Sequence, residues 1–248
     1  MHNKETGPAP DAREQGSTTP RPEADAGASQ RPYRLGILGG TFDPPHMGHV
    51  ALARLCIDHL GLDELVWIPT GQSWQKGADV TPAAHRLAMT ELAAGALAGT
   101  GARIRVSRME VERAGPSYTI DTVRQLREQY GPHASIAWLM GTDQLLRLDT
   151  WHGWQDLFAY VHLCTATRPG FALDALDGPV RAALQERQAD TRLIQCTPSG
   201  HMWIDQTLAV DLSSTGLRQH LSDGLAADDQ LPPGVAHYIA QQRLYRAA

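Results

Sequence analysis

An α/β fold built on a doubly wound parallel sheet, as a single domain over residues 33–248, is what this sequence predicts, and three observations carry it. From Tyr33 onward, short apolar runs alternate with segments of helical period. The first run, Leu35–Leu38, breaks at Gly39-Gly40, and Pro44-Pro45 forbid the strand from continuing. Two histidines, His46 and His49, then flank the start of the next helical segment. Strands and helices in this order imply a parallel sheet covered on both faces, a Rossmann-like arrangement whose ligands bind beyond the carboxyl ends of the strands.

Residues 1–32 precede that pattern. They are rich in Pro, Ala, Gly, Ser and Thr, carry mixed charge and hold no large apolar residue after Met1, so a disordered N-terminal extension is expected. Its five acidic residues and lack of an apolar core argue against a targeting peptide. The expected elements then run strand 34–39, helix 47–60, strand 64–68, helix 82–98, strand 102–107, helix 119–130, strand 134–140 and strand 161–165. Val50, Leu52, Ala53, Leu55, Cys56 and Leu60 give the first helix a core-facing side. Ile120, Val123 and Leu126 do the same for the helix at 119, with Ser117 or Thr119 as its expected cap. The segment 172–189 is expected to be helical beyond Pro179, and strand-like pieces are expected at 192–196 and 207–212. Asp211 to Thr215 opens a helix containing Leu217, Arg218 and Leu221, and a last helix spans Pro232–Tyr245.

Composition narrows the function classes. No apolar run approaches the roughly 20 residues that span a bilayer, so no membrane segment is expected. A net charge of -5 argues against a broad nucleic-acid-binding face. The three cysteines, Cys56, Cys164 and Cys196, are odd in number and scattered, which suits a reducing, cytoplasmic compartment.

Chemistry concentrates on the rim. At the first helix start, unpaired backbone N–H groups and the positive end of the helix dipole favour an anion, and imidazoles three residues apart can face one phosphate. Asp43, His46 and His49 are also metal-ligand types, so zinc is an alternative there. The chain has only two lysines, Lys4 and Lys76. Lys76 sits in a polar, glycine-punctuated loop after the second strand, either solvated or as a mobile cation closing on phosphate. Asp143, after the strand ending at Met140, could cap a short helix or bind ribose hydroxyls. Trp151 is either core or a flat face for a ring. Ser213, Ser214 and Thr215 suffice as caps, yet with Arg218 they also make a second anion site.

The run Gly39-Gly40-Thr41-Phe42-Asp43-Pro44 with His46 and Gly48-His49 resembles the signature of the nucleotidyltransferase superfamily, whose H-x-G-H histidines hold triphosphate. With Ser117-Tyr118-Thr119, Gly141-Thr142-Asp143-Gln144, Trp151, Arg168-Pro169-Gly170, Ser213-Ser214-Thr215 with Arg218, and Gln242-Arg243-Leu244-Tyr245, the chain is similar to bacterial nicotinate-nucleotide adenylyltransferases from about Tyr33 to Arg246. The resemblance implies transfer of AMP from ATP to nicotinate mononucleotide, giving deamido-NAD and pyrophosphate in NAD biosynthesis. It implies His46, His49 and Arg218 as catalytic residues and Gly39, Gly40, Thr41, Phe42, His46, His49, Ser213, Ser214 and Arg218 on ATP. Thr41, Lys76, Thr119, Asp143, Trp151 and Arg168 would meet the acceptor. Mg²⁺ would be held mainly by phosphates, with no metal-ligating protein set. Partners are expected to be these small molecules, with neither nucleic acid nor membrane. Many members carry Pro-Pro-His before Lys or Arg in the second loop, whereas here Ser73-Trp74-Gln75 precedes Lys76. The cation is retained and the loop histidine is not. Alternatives are an adenylyltransferase acting on nicotinamide mononucleotide or phosphopantetheine, or a non-catalytic nucleotide-binding regulator. A dehydrogenase is disfavoured because no G-x-G-x-x-G follows the first strand.

Overall fold

Six parallel strands, β1 (Arg34–Gly40), β2 (Glu64–Pro69), β3 (Arg103–Val106), β4 (Ser135–Gly141), β5 (His162–Ala166) and β6 (Met202–Asp205), form one sheet in the order β3-β2-β1-β4-β5-β6. The order reverses direction at β1 and β4, the place where such sheets open a crevice at their carboxyl ends. The computed structural model describes residues 31–72, 80–167, 176–208, 210 and 212–246. The expected extension at 1–32 therefore lies, but for its last two residues, outside the described residues.

Alternation along each central strand makes two cores. Leu35, Ile37, Val66, Ile68, Ile136, Trp138, Met140 and Leu163 face one side, where they meet α3 (Thr119–Tyr130) and α5 (Gly178–Arg187). Leu38, Leu65, Trp67, Ala137, Leu139 and Cys164 face the other and pack on α1 (Met47–Leu60), α2 (Ala83–Gly95) and α6 (Thr191–Cys196). This two-sided burial explains why the strands read as continuous apolar runs. A short α4 (Thr142–Leu145) follows β4, and α7 (Ser214–Ser222) and α8 (Pro233–Gln242) close the chain over Met89 and Ala93 of α2.

Four expectations are corrected. Residues 191–196 are helix rather than strand, because Asp190 caps the turn by accepting from Leu193 N at 2.8 Å. The last strand lies at Met202–Asp205 rather than 207–212. Its register pairs Met202 with Leu163, and Asp205 Oδ1 then accepts from Thr207 N at 2.7 Å and turns the chain out of the sheet. Neither Ser117 nor Thr119 caps α3, since Tyr118 is its N-cap and no side-chain bond is made there. The final helix stops at Gln242, where Arg243 takes a left-handed φ of 55°.

Candidate active site

Every strand of the sheet delivers its carboxyl end to one rim, where several of the described residues singled out from the sequence lie. Gly39 and Gly40 end β1. A Cβ at Gly39 would run into the Trp138 ring on β4, so glycine alone lets the indole lie against the β1 backbone. Phe42 follows with a φ of 51° and is buried, its ring 5.1 Å from that of His49 and 5.2 Å from that of Trp67.

The Asp43-Pro44 peptide is cis, and α1 begins after His46, which is its N-cap. His46 N donates to His49 Nδ1 at 3.2 Å, which leaves the His49 proton on Nε2 in the neutral ring. The two ring centroids stand 3.8 Å apart. His46 is 5% exposed, and its Nδ1 has no partner among the described residues. Burial pushes its pKa down to about 4, so at neutral pH the ring is uncharged. A Cβ at Gly48 would come 2.9 Å from that Nδ1, which accounts for the glycine between the histidines.

Helix α7 brings the second half of the rim. Ser213 Oγ caps it by accepting from Gly216 N at 3.1 Å. Ser214 Oγ donates to the Pro44 carbonyl at 2.9 Å, and Arg218 Nη1 donates to the Asp43 carbonyl at 2.7 Å. The α7 and α1 N-termini are thus tied to the same loop, with two positive dipole ends and the Arg218 guanidinium around it. Asp43 itself serves the loop. Its Oδ1 accepts from Tyr245 Oη at 2.6 Å and its Oδ2 from Thr81 N at 3.2 Å. Both oxygens are engaged, and among the described residues no three His, Cys, Asp or Glu side chains gather as a metal site.

A cleft open to solvent continues from this loop toward α3. Thr41, Thr119 and Trp151 line it, as do Gly39 and Gly40, with Trp151 edge-on to Trp138 at 6.4 Å. Asp143 is exposed on α4 and does not line it, whereas its neighbour Gln144 does. Lys76 and Arg168 lie outside the described residues, as does the whole of 73–79.

Arg86 and Glu110 were missed in the sequence, and Tyr245 was noted there without a site role. Arg86 of α2 is 2% exposed and donates to the carbonyls of Thr41, Thr70, Thr81 and Gly71, so one guanidinium fixes the ends of β1 and β2. Burial lowers its pKa from the usual guanidinium value. Tyr245 reaches Asp43 from the far end of the chain. Glu110, buried at 4% exposure, lines the cleft. The available signals were weak: an arginine on an otherwise apolar helix face, and a glutamate between Met109 and Val111.

Residues 37–220 match the cytidylyltransferase-like family. Fold and rim therefore define the class, a nucleotidyltransferase. A probable nicotinate-nucleotide adenylyltransferase of Herminiimonas arsenicoxydans is 43% identical over 86% of this chain and 97% of its own length. One from Salinispora arenicola is 37% identical over 84% of this chain and 100% of its own. Within the class, the chain belongs to the nicotinate-nucleotide adenylyltransferase family. Among solved structures, the Plasmodium falciparum nicotinic acid mononucleotide adenylyltransferase complexed with NaAD superposes with a TM-score of 0.63 at 16% identity, over 86% of this chain and 97% of that one, a likeness of fold.

Proposed function

We infer that the protein transfers the adenylyl group of ATP to nicotinate mononucleotide, forming deamido-NAD and pyrophosphate. The observation that carries the reading is the pair of helix N-termini, α1 with His46 and α7 with Arg218, clamped on the Asp43-Pro44 loop beside a cleft lined with aromatic and hydroxyl side chains.

An oxygen of the acceptor's 5′-phosphate attacks the α-phosphorus of ATP, and the bond to the bridging oxygen of the β-phosphate breaks as pyrophosphate leaves. No protein nucleophile enters, so the protein contributes alignment and charge stabilisation. His46 and His49, with the first N–H groups of α1, hold the phosphates at the reacting centre. Burial keeps His46 neutral, and an arriving phosphate restores its proton affinity. Ser213, Ser214 and Arg218 receive the β- and γ-phosphates. Gly39, Gly40, Thr41 and Phe42 form the floor, while Thr119 and Trp151 receive the pyridine end. Lys76, Asp143 and Arg168 are assigned to the acceptor by the sequence resemblance.

A divalent ion, which we take to be Mg²⁺, would arrive with ATP and would supply charge neutralisation on the triphosphate. The described side chains fit no cradle for it, since Asp43 is committed to Tyr245 and Thr81. Among the described residues no helix is long and apolar enough to cross a membrane. We place the protein in the cytoplasm on its three unpaired cysteines. We assign the transferase to residues 33–248 and leave 1–32 outside it. Pyrophosphate release from ATP, measured with nicotinate mononucleotide and with its amide side by side, tests the reading. Release with the nicotinate form is expected, and release with the amide alone would overturn it.

A further inference from the structure

Glu110 takes no part in the adenylyl transfer, yet it is the one carboxyl group among the described residues lining the cleft. It lies on the loop between β3 and α3. Its Oε1 accepts from Thr122 Oγ1 at 2.7 Å, and Thr122 Oγ1 accepts from Arg113 Nη1 at 3.0 Å. The Thr70 hydroxyl, just after β2, bonds to it as well. Thr122 is the fourth residue of α3, so these bonds hold the carboxyl within about one turn of that helix's N-terminus. No side chain caps this N-terminus. Beside it, Ser117 Oγ is buried and lacks a partner among the described residues, as does Trp138 Nε1 across the cleft. Two donors beside the cleft thus lack an acceptor, next to a carboxyl that already has its own donors.

We propose that Glu110 is a specificity-determining residue: protonated, it admits an acceptor bearing a ring carboxylate at the start of α3, and ionised, it repels that acceptor while leaving a carboxamide unaffected. This rests on the reading that nicotinate mononucleotide is the acceptor and that its ring carboxylate meets the α3 N–H groups.

The charges around Glu110 set the balance. Arg113, on its own loop, favours ionisation but is shared with Thr122 and Gln125. From α2, Arg86 is spent on four carbonyls, one of them that of Gly71, which packs against the Glu110 carbonyl. Asp121, one residue before Thr122, adds negative charge at the start of α3. Tyr118 and His152 line the same cleft, their rings 4.8 Å apart. Burial outweighs the donors and raises the Glu110 pKa above the ordinary carboxylate value. An anionic ligand one helical turn away raises it further, so binding of that ligand draws a proton in.

The test compares two acceptors in Glu110→Gln. The KM for nicotinate mononucleotide should fall about fivefold at pH 8.5, with the gain shrinking as the pH is lowered, as expected for removing one charge repulsion across a partly solvated cleft. The kcat should stay within about twofold, and the KM for nicotinamide mononucleotide should not move. Equal shifts for both acceptors would show a merely structural residue, and a rise confined to the nicotinate form would show that Glu110 accepts a bond from it. Either overturns the proposal. A second measurement needs no variant: calorimetric titration of the unsubstituted protein at pH 7.5, in two buffers of different ionisation enthalpy. Nicotinate mononucleotide should take up more protons than its amide, the shared 5′-phosphate cancelling in the difference, and equal uptake would refute the idea. An unsubstituted enzyme inactive with nicotinate mononucleotide would instead strike at the functional reading.

Discussion

His46 and His49 occupy the same turn yet do different work. His46 is buried at the α1 N-cap with an unpartnered Nδ1, while His49 lends its own Nδ1 to the His46 backbone and so fixes its tautomer. Removing the His49 ring leaves the apolar side of α1 untouched. We therefore expect His49→Ala to keep its melting temperature within a few degrees while losing on the order of 10²- to 10³-fold in turnover, the scale of deleting one donor to developing charge. Unchanged turnover would dismiss it from the site. Arg86 presents the opposite case, a charge buried among four carbonyls with no carboxylate hydrogen-bonded to it. Arg86→Met leaves those carbonyls without a donor, at about 1–3 kcal/mol for each that water cannot reach. A lowered denaturation midpoint together with a raised KM for both substrates is expected, and full stability would refute the pinning role.

Elements were legible in the sequence where their own residues decide them. Helix α1 was read with its bounds because Pro44-Pro45 set its start and the apolar spacing from Val50 to Leu60 carries it to its end, where Gly61 takes a φ of 57°. Strand β4 was read because both of its faces are buried, leaving an unbroken apolar run from Ile136 to Met140. Strand β6 was not, since four residues carry too little pattern and their place is set by pairing with β5. The site divides in the same way. Gly39 through His49 is one local motif and could be read, whereas Arg86, Glu110 and Tyr245 matter only through partners that folding brings to them. Trp151 was ambiguous for the same reason. The fold places it at the cleft wall against Trp138, on the segment after α4 and apart from the α1–α7 clamp. Trp151→Ala should therefore weaken binding of the mononucleotide about tenfold through lost ring contact, with ATP affinity changed less than twofold. Titrating each ligand separately checks this, and a loss confined to ATP would move the tryptophan to the adenosine side.

Across the whole molecule, two buried histidines stand at opposite ends of the sheet. His162 begins β5, fully buried, with Nδ1 accepting from His201 N at 3.2 Å and Nε2 donating to the Thr197 carbonyl at 2.9 Å. His46 stands at the carboxyl rim. Burial lowers both pKa values from 6.5 to about 4. A base with a depressed folded pKa binds its proton more weakly than in the unfolded chain. Its contribution is thus complete above pH 6.5 and lost as pH falls from 6.5 toward 4. Near pH 5.5 unfolding should take up nearly two protons from this pair, a slope of roughly 2 kcal/mol per pH unit, and denaturation midpoints at half-unit steps measure it. In Glu110→Gln, which removes the opposing contribution of a carboxyl with a raised pKa, a flat profile between pH 6.5 and 5.5 would show that neither ring is held neutral. Saturating ATP separates the two: triphosphate at the α1 N-terminus favours protonated His46 and should remove about half of the slope, while His162, at the far end of the sheet, keeps the rest. A slope unchanged by ATP would mean that the triphosphate does not reach His46.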